Sequence, residues 1–168
     1  FIVFLGTVGL FWWAFHLIQP SFYQGAPYVP TPSEKVGTMM RLADIKQGET
    51  VIDMGSGDGQ LLFEAVGDGA GKAIGYEINS NLVRKSRKRA KYLNYDDRVK
   101  IHKQSFWDAD IHVADVVFVY QISYTMKRLS EKLIAELRPG ARVVSNGYKL
   151  KDWEPVKSEN NIFLYKKK

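Results

Sequence analysis

The chain has 168 residues, is 45% hydrophobic and 25% charged, and contains 14 Gly, 6 Pro and no Cys, with a formal net charge of +6. That composition excludes a disordered chain, a collagen-like repeat and a disulfide scaffold. It also excludes thiolate zinc sites and a Cys nucleophile, and the length fits one domain of ordinary size.

Charge is unevenly distributed. Residues 1–33 contain no Lys, Arg, Asp or Glu, so every formal charge falls from Glu34 onward. Phe1 to Ile18 is apolar apart from Thr7 and His16. As a helix, eighteen residues reach about 27 Å, close to the thickness of a bilayer core. Trp12, Trp13 and Tyr23 fall where aromatic residues favour the headgroup level. The reading is a transmembrane anchor over 1–18 and a linker over 19–30 containing Pro20, Pro27 and Pro30. A cleaved signal peptide would need a basic start and a small-residue cleavage site, and neither is seen. The first residue is Phe, so a longer native start is expected. The Lys and Arg excess after the anchor predicts a cytoplasmic or mitochondrial matrix face for residues 31–168.

Thr31-Pro32-Ser33-Glu34 has the pattern of a capping box and predicts a helix to about Ala43, with Val36, Met39, Met40 and Ala43 as its apolar stripe. Thr50–Met54 is a strand, followed by a glycine loop and a helix at about Gln60–Val66. Strand Ala73–Glu77 leads to a basic helix capped by Asn79 or Ser80 and running to about Leu93. Strands follow at Val99–His102 and Asp115–Tyr120, then a helix at about Thr125–Leu137 stopped by Pro139-Gly140. Ala141–Ser145 and Asn161–Tyr165 are the last strands, the final one antiparallel at or near an edge. Strands separated by helical segments predict an α/β, Rossmann-like, mostly parallel doubly wound sheet. Ligands in such sheets bind beyond the carboxyl ends of the strands.

The most informative stretch is Asp53-Met54-Gly55-Ser56-Gly57-Asp58-Gly59-Gln60. It follows a strand and opens a helix, and an acid, Glu77, ends the next strand, where a carboxylate can accept both hydroxyls of a ribose. A dinucleotide loop would place glycine where Gln60 stands, and Asp53 and Asp58 would repel a pyrophosphate. Gly67–Lys72 lacks the spacing of a phosphate loop. Acids suit a cationic, phosphate-free nucleoside, and S-adenosylmethionine carries an ammonium and a sulfonium. His16, His102 and His112 have no metal-ligand spacing, so no metal is expected.

With these residues in view, the chain resembles the class I S-adenosylmethionine-dependent methyltransferases. PYVPT (Pro27–Thr31), VIDMGSGDGQ (Val51–Gln60), GYEIN (Gly75–Asn79), LVRKSR (Leu82–Arg87), Phe106-Trp107, GARVVS (Gly140–Ser145) and Trp153-Glu154-Pro155 narrow the likeness. They are similar to the membrane-anchored protein-lysine methyltransferases that include the mitochondrial enzymes acting on the ATP synthase c subunit and the adenine nucleotide translocase. The resemblance implies that Asp53, Gly55, Gly57 and Gly59, with Ser56 and Asp58 in the same loop, hold the amino-acid end of the cofactor. It implies that Glu77 takes the ribose hydroxyls, that Ile78, Ser105 and Phe106 lie beside the adenine, and that Tyr28 and Thr31 close over the cofactor. Ser105 and Phe106 depart from the family's usual Asp-Leu-Trp.

Methyl transfer asks the protein to position the acceptor and exclude water. Tyr120, Gln121, Ser123 and Tyr124 end the fourth strand, and Tyr120 is the residue expected to line the transfer site. Asn146 and Tyr148 are further pocket candidates, and no general base is singled out. The expected partners are a membrane protein presenting a lysine and, through residues 1–18, the lipid bilayer. A lipid or small membrane-borne acceptor, or a catalytically silent cofactor-binding protein, are the alternatives. The basic run from Arg84 to Lys103 reads as a solvated helix face or a contact for anionic headgroups. Without interleaved aromatic residues or an RNA-binding module, nucleic acid is not an expected partner.

Overall fold

A computed structural model describes residues 28–168. The expected anchor over 1–18 and most of the linker lie outside the described residues. Among the described residues, no helix is long and apolar enough to cross a membrane.

Five strands run parallel: β1 (Thr50–Met54), β2 (Lys72–Glu77), β3 (Val99–Lys103), β4 (Val116–Val119) and β5 (Arg142–Asn146). Two more, β6 (Lys157–Glu159) and β7 (Ile162–Lys166), complete the sheet in the order β3-β2-β1-β4-β5-β7-β6. Strand β7 is antiparallel to β5 and lies next to the edge, as expected of it. The edge is β6, antiparallel to β7. Its sequence Lys157-Ser158-Glu159 carries no apolar alternation, so backbone pairing is its only signal.

Side chains alternate between the faces of a strand, and this sorts the core. Val51, Val116, Phe118 and Val144 face helices α1 (Ser33–Ala43) and α2 (Gln60–Gly67). On the same side, Ala73, Val99 and Ile101 meet α2 and α3 (Ser80–Tyr92). Ile52, Met54, Val117, Val119 and Val143 face the other way, onto Met126, Leu129 and Leu133 of α4 (Met126–Glu136). The sheet is therefore wound on both faces, with β4 wholly buried as its unbroken apolar run requires.

The capping box at Thr31 is not made. Pro32 is the N-cap of α1, without a side-chain cap, and Thr38 Oγ1 donates to the Glu34 carbonyl instead. With the helix starting one residue later, Thr31 falls outside it and is left to line the cavity described below. Asn79 does cap α3, its Oδ1 accepting from the Asn81 and Leu82 amides at 2.9 and 3.4 Å. Strand β4 is shorter at both ends than expected. Asp115 is drawn off to accept from the Thr50 amide at 2.9 Å, and Tyr120 stands just past the carboxyl end.

Gly75 marks where the loop after β1 rests on β2. A Cβ there would stand 2.5 Å from Ser56 Oγ and 2.7 Å from Leu62 Cδ1. Gly75→Ala is expected to destabilise the fold by about 1–3 kcal/mol, the usual penalty for overfilling a packed site, read as a lower urea midpoint at unchanged slope.

Candidate active site

The carboxyl ends of β1, β2 and β4 open onto a cavity of ≈ 530 Å³. Gly55, Gly57 and Gly59 all adopt left-handed backbone, with φ of +98°, +53° and +84°. The Gly55 and Ser56 amides both donate to the Tyr76 carbonyl at 3.0 Å, which folds the loop back across β2. A side chain at Gly57 would strike the Tyr28 ring at 2.5 Å, and one at Gly55 would strike Gln121 Nε2 at 2.8 Å. Only backbone fits between these walls.

Asp53 and Glu77 lie on the same sheet face, since Asp53 is in register with Gly75. Both are buried, at 4% and 9% exposure. Glu77 is held by two backbone donors: the Gly57 amide at 2.9 Å on Oε2 and the Asn79 amide at 2.7 Å on Oε1. Each carboxylate oxygen has two acceptor positions, so both retain capacity toward the cavity, matching a pair of adjacent hydroxyls. Burial first, and the nearby Glu77 second, push the Asp53 carboxyl up to about 7. Asp58 sits on the rim, paired with Lys85 at 3.0 Å. Burial, then the Asp58 carboxylate, raise the Tyr28 phenol above its ordinary value.

Of the residues singled out in the sequence, Tyr28, Thr31, Asp53, Gly55, Ser56, Gly57, Asp58, Glu77, Ile78, Phe106 and Tyr120 line this cavity. Gly59 and Ser105 do not. Gly59 is the N-cap of α2, turned against Phe63 and Ser86. Ser105 turns away to cap a short 3₁₀ turn, Phe106–Asp108, its Oγ accepting from the Trp107 amide at 3.3 Å. Gln104 takes the wall position instead, tied by its amide to the Glu77 carbonyl at 3.1 Å. Gln121 and Tyr148 are in the wall, whereas Ser123 and Tyr124 are not. Gln60, Leu82 and Gln104 are among the lining residues that sequence reasoning missed. The first two sit on the opening turns of helices that start at the cavity, a position the loop pattern already implied.

The charge run from Arg84 to Lys103 is partly internal wiring. Arg87 donates to the Ile101 carbonyl, Arg89 stacks on Phe63 at 4.7 Å and Arg98 on Tyr95 at 5.0 Å. His102 stacks on Tyr76 and His112 contacts Asp110.

Among the described residues lining the cavity are three carboxylates, of Asp53, Asp58 and Glu77, and no Lys, Arg or His. A phosphate would meet no cation in that lining, and Lys85 at the rim is already paired with Asp58. A cationic nucleoside fits, with Glu77 for a ribose, acids for an ammonium, and the unpartnered buried hydroxyl of Ser56 in the loop wall.

Residues 53–157 match the family model described as the ANTKMT methyltransferase domain. A protein-lysine N-methyltransferase of Saccharolobus islandicus is 35% identical over 154 residues, covering 86% of this chain and 96% of the relative. The adenine nucleotide translocase lysine N-methyltransferase of Mus musculus is 34% identical over 86% of this chain and 64% of its own length. The chain thus spans nearly all of the Saccharolobus islandicus relative and somewhat under two thirds of the mouse one. Among solved structures, an RNA methyltransferase from Salinibacter ruber in complex with S-adenosyl-L-homocysteine superposes with a TM-score of 0.76 at 33% identity, over 83% of this chain and 92% of that one. Glycine loop, paired acids, sheet order and these likenesses agree: the chain belongs to the ANTKMT methyltransferase family, and its cofactor is S-adenosylmethionine.

Proposed function

We propose that the chain methylates the side-chain amine of a lysine in a protein, and that this protein lies at a membrane. The observation that carries the cofactor half is that the charged side chains lining the cavity are all carboxylates. The lysine acceptor rests on the relatives, which are named for lysine methylation. Residues 1–18 serve as the anchor, 19–30 as the linker and 31–168 as the methyltransferase domain, on the cytoplasmic or matrix side.

Bound S-adenosylmethionine supplies a methyl group on a sulfonium that is already a good leaving group. The chain's residues do the rest. Glu77 takes the ribose hydroxyls, and Ile78 and Phe106 flank the base. Asp53, Gly55, Ser56 and Gly57 hold the amino-acid end, with Asp58 at its rim. Tyr28 and Thr31 cover the site and exclude water, while Gly59 and Ser105 act from behind by fixing the loop and the 3₁₀ turn. Tyr120 and Tyr148 border the acceptor side, and their ring faces can orient a cationic nitrogen. An acceptor lysine must be neutral to attack. Desolvation at this mouth lowers its pKa, and the proton leaves to water or a nearby acceptor.

Membranes incubated with the enzyme and methyl-labelled cofactor are expected to carry label that survives lipid extraction and nuclease and yields methyllysine on hydrolysis. Label in the lipid phase, or in RNA as the name of the Salinibacter ruber protein suggests for that enzyme, overturns the proposal. Tyr120→Ala is expected to lower kcat/KM for the acceptor by roughly ten- to a hundredfold through lost positioning, with cofactor affinity changed less than about threefold.

A further inference from the structure

Asn146 ends β5 and is wholly buried. Val119 pairs with Ser145, so Asn146 stands beside Tyr120 on the face that also carries Asp53. Its Oδ1 accepts from Lys35 Nζ at 3.2 Å. Its Nδ2 is buried with no hydrogen-bond partner, a costly state for an amide donor. Lys35 lies on the first turn of α1, just after Thr31, and Thr31 and Tyr148 both line the cavity. Neither Lys35 nor Asn146 lines the cavity, so a lysine ammonium is already seated on a buried amide just behind the wall that Tyr120 and Tyr148 form.

We propose that Asn146 is the seat for the acceptor lysine's nitrogen, and that Lys35 is its resident occupant, displaced when an acceptor enters. This rests on the lysine-methyltransferase reading above. An amide carbonyl suits the task better than a carboxylate. It accepts an N–H from an ammonium or a neutral amine alike, so it orients the nitrogen without a negative charge that would hold it protonated. Lys35 holds Asn146 by its ammonium alone, so rotation of its flexible four-carbon stem releases the amide.

The experiment uses the full chain saturated with S-adenosylhomocysteine and n-butylammonium as a lysine side-chain probe, with binding read in every variant from the backbone amide resonances of Ser145 and Gly147. Lys35→Ala removes a partly buried side chain and is expected to tighten butylammonium binding by about tenfold and to lower KM for the acceptor with kcat little changed. Asn146→Ala in the Lys35→Ala background is expected to abolish probe binding. Asn146→Ser, which keeps an acceptor oxygen, serves if the alanine variant does not fold and is expected to restore part of the affinity. S-adenosylhomocysteine affinity should be the same throughout. Probe binding indifferent to Lys35→Ala, or retained without Asn146, overturns the seat. If the unaltered chain puts no label on protein lysine, the functional reading fails separately, while the probe titration still reports on the seat.

Discussion

Glu77→Gln is expected to weaken cofactor binding by roughly ten- to a hundredfold, because hydrogen bonds to a charged group contribute about 1.5–3 kcal/mol each, and one ribose hydroxyl would lose its acceptor while the other would lose the charge on its own. The substitution keeps size and shape but not acceptor count. Both oxygens of Glu77 already accept backbone amides, from Gly57 and Asn79. A glutamine must turn its NH₂ toward one of these, donor against donor. The loop then loses a tether as well as one hydroxyl's partner, so the cofactor-free protein should melt a few degrees lower. Asp58→Asn is the contrast. Asp58 stands at the rim and pairs with the largely exposed Lys85, so its loss should weaken binding less than about fivefold. Calorimetric titration of S-adenosylhomocysteine into the three proteins reads both effects. Binding by Glu77→Gln within about threefold of the native chain would refute the assigned role.

Much of this site was legible in the sequence because backbone chemistry forced it. Three glycines in alternation, an acid before them and an acid closing the next strand leave few other uses, and all three glycines do adopt left-handed backbone. Buried strands were legible for the same reason: Val116 to Val119 has no polar residue to send to solvent. What was not legible depended on partners distant in the chain. Strand β6 has no apolar pattern and exists through pairing with β7. The capping box had the right residues, but Pro32 took the cap and Thr31 was left at the cavity. Ser105 occupied the expected adenine position by alignment of motifs, yet its hydroxyl caps the turn and Gln104 faces the cavity. The Lys35 contact to Asn146 joins the first helix to the fifth strand, and no local spacing encodes it.

Burying the Asp53 carboxylate costs the cofactor-free protein stability at neutral pH, and this has a measurable pH signature. Its carboxyl is pushed up to about 7, by burial first and by Glu77 second, from an ordinary carboxylate value. Between roughly pH 4 and 7 the folded chain therefore holds a proton that the unfolded chain has lost, and folding takes that proton up. The stability tied to this group is full below about pH 4, falls as pH rises, and is lost above about pH 7, a penalty on the order of 4 kcal/mol. Asp53→Asn is neutral and nearly isosteric, so without cofactor it should melt higher than the native chain at pH 8 and almost level with it at pH 4. A cationic ligand reverses the balance by favouring the ionised carboxylate. Cofactor binding below about pH 7 should release a proton, visible as a buffer-dependent enthalpy, and affinity should climb up to about tenfold per pH unit from 5.5 to 7 before levelling. In Asp53→Asn that climb should vanish and binding at pH 8 should be weaker, although the fold is more stable. A variant that melts no higher than native at pH 8, or that keeps the native pH profile of binding, would show that Asp53 is not the group the cofactor's charge relieves.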